Sequence, residues 1–199
     1  QKGIFVYGFF DSGFGGSNLV NSSGVVASDV TAVGSTRQSA SGATYGLDKG
    51  IVYGGQNSSN GLIGVSNLIT NLGVVGSDSG AGTIRILPSA VAYGSSGQAV
   101  MAFGEGSSNT AVSNLISNTG AIASDTTGVG TVRHHGWGTM YGGDKGVMAY
   151  GNPDGATNTN VSNKISNLGV VASDTSGVGT GRKGICAVNY GGDKGVFAY

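Results

Sequence analysis

The hydrophobic residues of this chain fall in short runs. Each run ends in an aromatic residue and glycine, and each follows another aromatic residue and a tight polar turn. The clearest copy goes from Tyr141 through Gly142-Gly143-Asp144-Lys145 to Val147-Met148-Ala149-Tyr150-Gly151. It returns at residues 190–199 and 45–55, more loosely at 93–104, and as half a copy at 2–8. Two apolar runs joined by a small turn of Gly, Ser and Asp mark a β-hairpin. Copies spaced 47 to 49 residues apart make this a repeat fold.

Three further rows of markers keep the same period. They are Asn18, Asn67, Asn114 and Asn163; Asp29, Asp78, Asp125 and Asp174; and Arg37, Arg85, Arg133 and Arg182. Within one period the pattern predicts four strands, at 134–141, 145–150, 161–166 and 170–173. A polar loop, 151–160, separates the second from the third. No segment holds a 3.6-residue apolar period long enough for a helix. Both faces of 147–150 are apolar, as in a strand covered on two sides. The expected organisation is one repeat domain over 1–199, with units at about 1–37, 38–85, 86–133 and 134–182 and closing strands at 183–199. Four strands in about 48 residues is the size of one propeller blade. The expected fold class is therefore all-β, a β-propeller.

Composition narrows the function classes. Glycine supplies 40 of 199 residues and proline 2, while charged residues make up only 10%. The surface must be built mostly from Ser, Thr, Asn and Gly. Ten basic and ten acidic residues balance, which argues against the basic face a nucleic acid requires. No apolar stretch reaches the roughly 20 residues of a membrane helix. The chain starts at Gln1 with no secretory signal, so processing or excision from a longer chain is expected. Cys186 is the only cysteine; no internal disulfide is possible, and a small buried residue in an apolar strand is expected there.

The order of markers resembles a kelch repeat. Arg37 precedes Ala43-Thr44-Tyr45, then come Ile51-Val52-Tyr53-Gly54-Gly55, Val65-Ser66-Asn67-Leu68-Ile69, and Val74-Val75 leading to Arg85. The glycine pair survives only at Gly54-Gly55, and the Tyr-Asp pair and the tryptophan of the kelch pattern are missing. The wording of 113–120 and 123–131 is similar to kelch-like arrays in structural and tail-associated phage proteins. This resemblance implies a non-enzymatic structural or adhesive module of an extracellular particle or fibre, a phage virion protein. Its partners would be other virion or fibre subunits or a surface glycan, with no nucleic acid, membrane or cofactor, as a homo-oligomer or longer array. A lectin-like, carbohydrate-binding propeller is the alternative, and a kelch-fold oxidase the third reading. The strand at 2–7 repeats at 194–199, so a four-bladed ring and a larger ring made from two chains both stay open.

No catalytic set stands out. The arginine row could ring a mouth and take an anion, but a residue repeated in every unit is expected to serve the unit, pairing with Asp or carbonyls at each boundary. The Asp row is expected to form turns. His134-His135-Gly136-Trp137 breaks the pattern and holds both histidines and the only tryptophan. His134, His135 and Trp137 are the binding candidates: the indole could stack on a sugar while a histidine donates a hydrogen bond. The competing reading is a bulky strand filling a gap between blades. Neighbouring histidines on a strand point to opposite faces, which argues against a shared copper. Ligand contacts are expected in the variable loops 9–17, 55–63, 104–111 and 151–160. The Gly-rich stretch 177–184 lacks the strand and helix of a phosphate loop.

Overall fold

β-Branched residues bounded by glycine hold strands and starve helices, and the computed structural model is all-β. It describes residues 3–9, 14–31, 33–80 and 82–198. Its strands form five separate antiparallel sheets. The first pairs β1 (Gly3–Gly8) with β2 (Phe14–Val20). The second orders β3 (Ser41–Tyr45), β4 (Lys49–Tyr53), β5 (Val65–Ile69) and β6 (Ser79–Gly80). The third holds β7 (Ser89–Tyr93), β8 (Gln98–Ala102) and β9 (Ser113–Ile116). The fourth holds β10 (Trp137–Tyr141), β11 (Lys145–Ala149) and β12 (Ser162–Ile165). The last pairs β13 (Cys186–Tyr190) with β14 (Lys194–Ala198). By sequence, β1 and β2 match the second and third strands of a full unit, and β13 and β14 match the first and second.

The sheets stack through their first strands: β3 lies on β7, β7 on β10, and β10 on β13. Each sheet is too thin to hold a core of its own, so the core lies between sheets. Tyr45, Ile51 and Tyr53 meet Ala90, Ala99 and Met101 at one junction, and Val91, Tyr93 and Val100 meet Met148 at the next. All five residues of β7 are buried, because it is covered on both faces. The third strands mesh as well. A Cβ on Gly73, Gly120 or Gly169 would run into Leu19, Leu68 or Leu115 of the preceding unit. Lys164 takes the leucine's place in the last complete unit and is exposed.

Two backbone ladders tie consecutive units. At the hairpin turns Gly46 N–H donates to Gly97 O, Gly94 N–H to Asp144 O, and Gly142 N–H to Asp193 O. At the other end Leu87 N–H donates to Ser39 O, His135 N–H to Leu87 O, and Gly184 N–H to His135 O. Ser39, Leu87, His135 and Gly184 all have φ between 51° and 66°, so this column holds a left-handed backbone whatever its side chain. Among the described residues no strand pairing joins the first sheet to the last.

Three expectations need correction. The fourth strand forms as a strand only at Ser79–Gly80; elsewhere it shrinks to isolated bridges such as Ile165 with Val171 and Ser162 with Thr175. The predicted strand 134–141 begins only at Trp137, because His135 at φ 58° turns the chain out of extended geometry. The loop expected at 9–17 is already strand from Phe14, while its residues 10–13 lie outside the described residues. Cys186 is a fourth departure: it is exposed, not buried. Ser41 and Ser89 hold the same place in their units and are buried, whereas Cys186 belongs to the last of the described sheets.

Candidate functional site

The arginine row is structural. Arg37, Arg85 and Arg133 are completely buried. Each reaches into the next unit, to its third-strand asparagine: Arg37 Nη2 donates to Asn67 Oδ1 at 2.6 Å, Arg85 to Asn114 at 2.7 Å, and Arg133 to Asn163 at 2.6 Å. A second guanidinium nitrogen donates to the carbonyl two residues back, Ser35 O for Arg37 and Thr131 O for Arg133, both at 3.1 Å. The flat face of each lies over an aromatic of its own unit. Arg37 sits 4.1 Å from the Tyr7 ring, Arg85 5.5 Å from Tyr53, and Arg133 3.8 Å from Phe103. Tyr7 and Phe103 hold φ near 60°, a strained backbone for a side-chain-bearing residue, and this turns their rings under the guanidinium. In the second unit Gly54 takes the left-handed position and Tyr53, one residue earlier, supplies the ring.

The asparagines pass the contact to the aspartate row. Asn67, Asn114 and Asn163 donate to Asp78, Asp125 and Asp174 at 2.7 to 2.9 Å. Each aspartate also accepts from the loop entering its unit: from Ser35, Thr83 or Thr131, through both backbone N–H and hydroxyl. The aspartates are therefore more than the turn formers expected. They close an Arg–Asn–Asp clip that locks every unit to its neighbour.

Charge in the clip is held by hydrogen bonds against burial. Burial pushes Arg37 and Arg85 below the usual guanidinium range and takes Arg133 down to about 10, so Arg133 stays charged at neutral pH. For Asp78 and Asp174 burial acts upward but is outweighed by hydrogen bonds from Ser35 and Asn67, and from Thr131 and Asn163. For Asp125 the bonds from Thr83 and Asn114 lead. All three carboxyls end below their ordinary value. A carboxyl depressed in the folded state stabilises above its unfolded pKa, and that contribution is lost as pH falls through the folded value. Stability should therefore decline as pH drops below about 4, the unfolded carboxyl value. Asp174→Asn should flatten that decline in thermal melts across an acid series; an unchanged slope would rule the clip out as its source.

The binding candidates are split by the structure. His134 and His135 have rings 4.6 Å apart, contrary to the expectation that they face opposite ways. Neither lies in a strand, and the left-handed turn at His135 brings them together. His134 is buried in a groove of about 370 Å³ lined by Glu105, Ser108, Asn109, Val132, Pro153, Asp154 and Gly155. The groove lies between two of the variable loops singled out from sequence. Asn109 Nδ2 donates to Pro153 O at 2.7 Å, which leaves Asn109 Oδ1 to accept from His134 Nδ1–H at 2.7 Å. Glu105 Oε2 stands 3.8 Å from the same nitrogen. Trp137 does not line this groove. It lies on β10, partly exposed, where Ser41 and Ser89 of the other units are buried.

Burial lowers the pKa of His134, only partly opposed by Glu105, and burial together with His134 lowers that of His135. Both rings are neutral at pH 7. Their stabilising contribution is present above about 6.5 and is lost as pH falls from there through the folded values. A His134→Gln, His135→Gln double variant should remove this upper, mildly acidic limb of the stability profile and leave the carboxylate limb. Melting temperatures from pH 7 to 3 separate the two. Among the described residues no three His, Cys, Asp or Glu side chains gather as a metal site would require. The groove therefore offers polar contacts: one carboxylate at its rim, a second at Asp154, and an amide–imidazole pair. No family model matches the chain and no curated protein resembles it closely enough to be matched.

Proposed function

We propose that this chain is a non-enzymatic structural or adhesive repeat module of an extracellular particle or fibre, of the kind a phage virion carries, with its units arranged as kelch-like propeller blades. One observation carries the reading: the buried arginines, and the aspartates paired with them, are used up in locking unit to unit. Such a chain is organised to hold a shape and to display loops. The blade arrangement fits the contact of each first strand with the next and the column of left-handed residues that links consecutive units. Small-angle scattering of the full chain tests it. A profile matching a disc supports blades about an axis, and a rod-like profile removes them.

A second reading, carbohydrate binding, rests on the groove between 104–111 and 151–160. Sugars are recognised by carboxylates and amides that hydrogen-bond to vicinal hydroxyls, and Glu105, Asn109 and Asp154 offer that set. A glycan array probed with the wild-type chain and with the Glu105→Ala, Asp154→Ala variant is the test. Binding lost in the variant with an unchanged melting temperature supports a lectin; no glycan retained by the wild type leaves the structural reading alone.

A further inference from the structure

The groove that holds His134 has a second copy one repeat earlier. Its walls come from three places in the chain. Asn109 bridges back to Glu105, Val132 directly precedes Arg133, and Pro153-Asp154-Gly155 directly follow Asn152. The same three places recur. Leu62 bridges back to Gln56, Ile84 directly precedes Arg85, and Gly106-Ser107-Ser108 directly follow Glu105, the counterpart of Asn152. With Thr83 and Thr110 they line a groove of about 550 Å³. Each groove thus lies at a junction, between the loop of one unit and the loop of the next. Ser108 lines both, so the two form one track across loops 55–63, 104–111 and 151–160.

The two stretches of the track differ in chemistry. The later one is polar. Among the described residues the Glu105 carboxylate, 3.8 Å from His134 Nδ1, and Asp154 Oδ2 accept no hydrogen bond, while Asp154 Oδ1 is held by the N–H groups of Ala156 and Thr157. His134 gives its Nδ1–H to Asn109, so the neutral ring keeps Nε2 as an acceptor. The earlier stretch presents Leu62 and Ile84, 39% and 48% exposed, beside the hydroxyls of Ser107 and Ser108. Among the described residues no lysine or arginine lines either stretch. The backbone of the middle loop is largely spent. The N–H groups of Glu105, Gly106 and Thr110 donate to the carbonyls of Ile86, Ser108 and Gly104, which leaves no strand edge for a peptide to join.

We propose that this track binds one linear, uncharged oligosaccharide, with different sugar residues of the same chain seated in the two grooves. The inference rests on the carbohydrate reading above and narrows its ligand. A groove repeated at the spacing of the units suits a ligand that itself repeats. In the later groove the carboxylates and the imidazole accept from sugar hydroxyls. In the earlier one the C–H face of a sugar ring packs on Leu62 and Ile84 while Ser107 and Ser108 meet its rim. Two carboxylates with no cation lining the track turn away an acidic glycan. Once one sugar residue is seated, the next binds as an intramolecular step, so affinity rises with length until both grooves are filled.

Calorimetric titration with linear malto- and cello-oligosaccharides, from the disaccharide to the hexasaccharide, tests this. In one of the two series the dissociation constant should fall about tenfold or more from the shortest member to the longest. Oligogalacturonides of equal length should not bind. The Leu62→Ser, Ile84→Ser variant, changed only at exposed positions, should lose the gain with length. The Glu105→Ala, Asp154→Ala variant should lose binding at every length. A gain with length that survives Leu62→Ser, Ile84→Ser overturns the proposal. So does equal binding of the oligogalacturonides, or binding of neither neutral series. Affinity that stays flat with length but is lost in Glu105→Ala, Asp154→Ala removes the track and leaves the lectin reading standing, which the glycan array decides separately.

Discussion

Arg133→Ala should destabilise the protein by about 2–5 kcal/mol, the range for truncating a large, fully buried side chain, here with buried acceptors left unpaired as well. The lost atoms leave a void beside the Phe103 ring and strip Asn163 Oδ1, Thr131 O and Met148 O of their donor. A domain of this size has about 5–15 kcal/mol in all, so one clip decides a large share of it. Arg133→Lys should recover little, since an ammonium cannot reach two acceptors in the plane a guanidinium spans or lie flat on the ring. Arg182→Ala is the internal comparison: it has no asparagine partner among the described residues and should cost under about 1 kcal/mol. Urea unfolding of the three variants checks the order. Equal losses for Arg133→Ala and Arg182→Ala would sink the claim that the completed clip holds the stack.

The second large effect should come from Gly138→Val. Gly138 lies on β10 where that strand crosses β7. A Cβ there would overlap the carbonyl oxygen of Ala90 and come within 2.9 Å of Val91 Cβ. The obstruction is backbone and cannot rotate away, so the sheets must part. Overpacking of this kind costs about 1–3 kcal/mol, and more where a second junction shifts with the first. Gly143→Ala separates crowding from backbone strain. Its φ is 82° and nothing lies within 4 Å of the added atom, so it should cost only the left-handed penalty of about 1–2 kcal/mol. The emission of Trp137, one residue from the crossing, should shift in Gly138→Val and stay fixed in Gly143→Ala. The reverse pattern would mean the sheets are not held by this close approach.

Much of the fold was legible because repetition turns one weak local signal into several aligned ones. The hairpins 41–53, 89–102, 137–149 and 186–198 follow from the aromatic-turn-apolar pattern, and their paired ends match it closely. The service role of the arginine row was legible for the same reason: Arg37, Arg85 and Arg133 repeat what a single arginine could not reveal. The fourth strand was not legible. Val170-Val171 is as apolar as many strands, but after the turn at Gly169 the chain makes only isolated bridges, at Val171 and Thr175, and no continuous ladder. The aspartates looked like turn residues because their partners lie 42 or 43 positions away, beyond any local pattern.

The candidate site divides along the same line. That His134 and His135 were unusual was plain from their breaking the period. That their rings touch depended on His135 sharing the left-handed column with Ser39 and Leu87, which only the stacking of units imposes. Glu105 and Asn109 carried only the signal of the variable loop that holds them, since loop residues gain meaning from what the neighbouring loop brings beside them.

By itself the sequence determined the all-β class, the period, the hairpins and the residues each unit repeats, because these depend on side-chain alternation and turn chemistry within a few residues. Only the tertiary structure decided which chemically similar side chains are core and which are surface: Val91 against Val188, Ser89 against Cys186, Arg133 against Arg182. In a stack of thin sheets burial belongs to the junction, and a residue is hidden only where another unit lies on it.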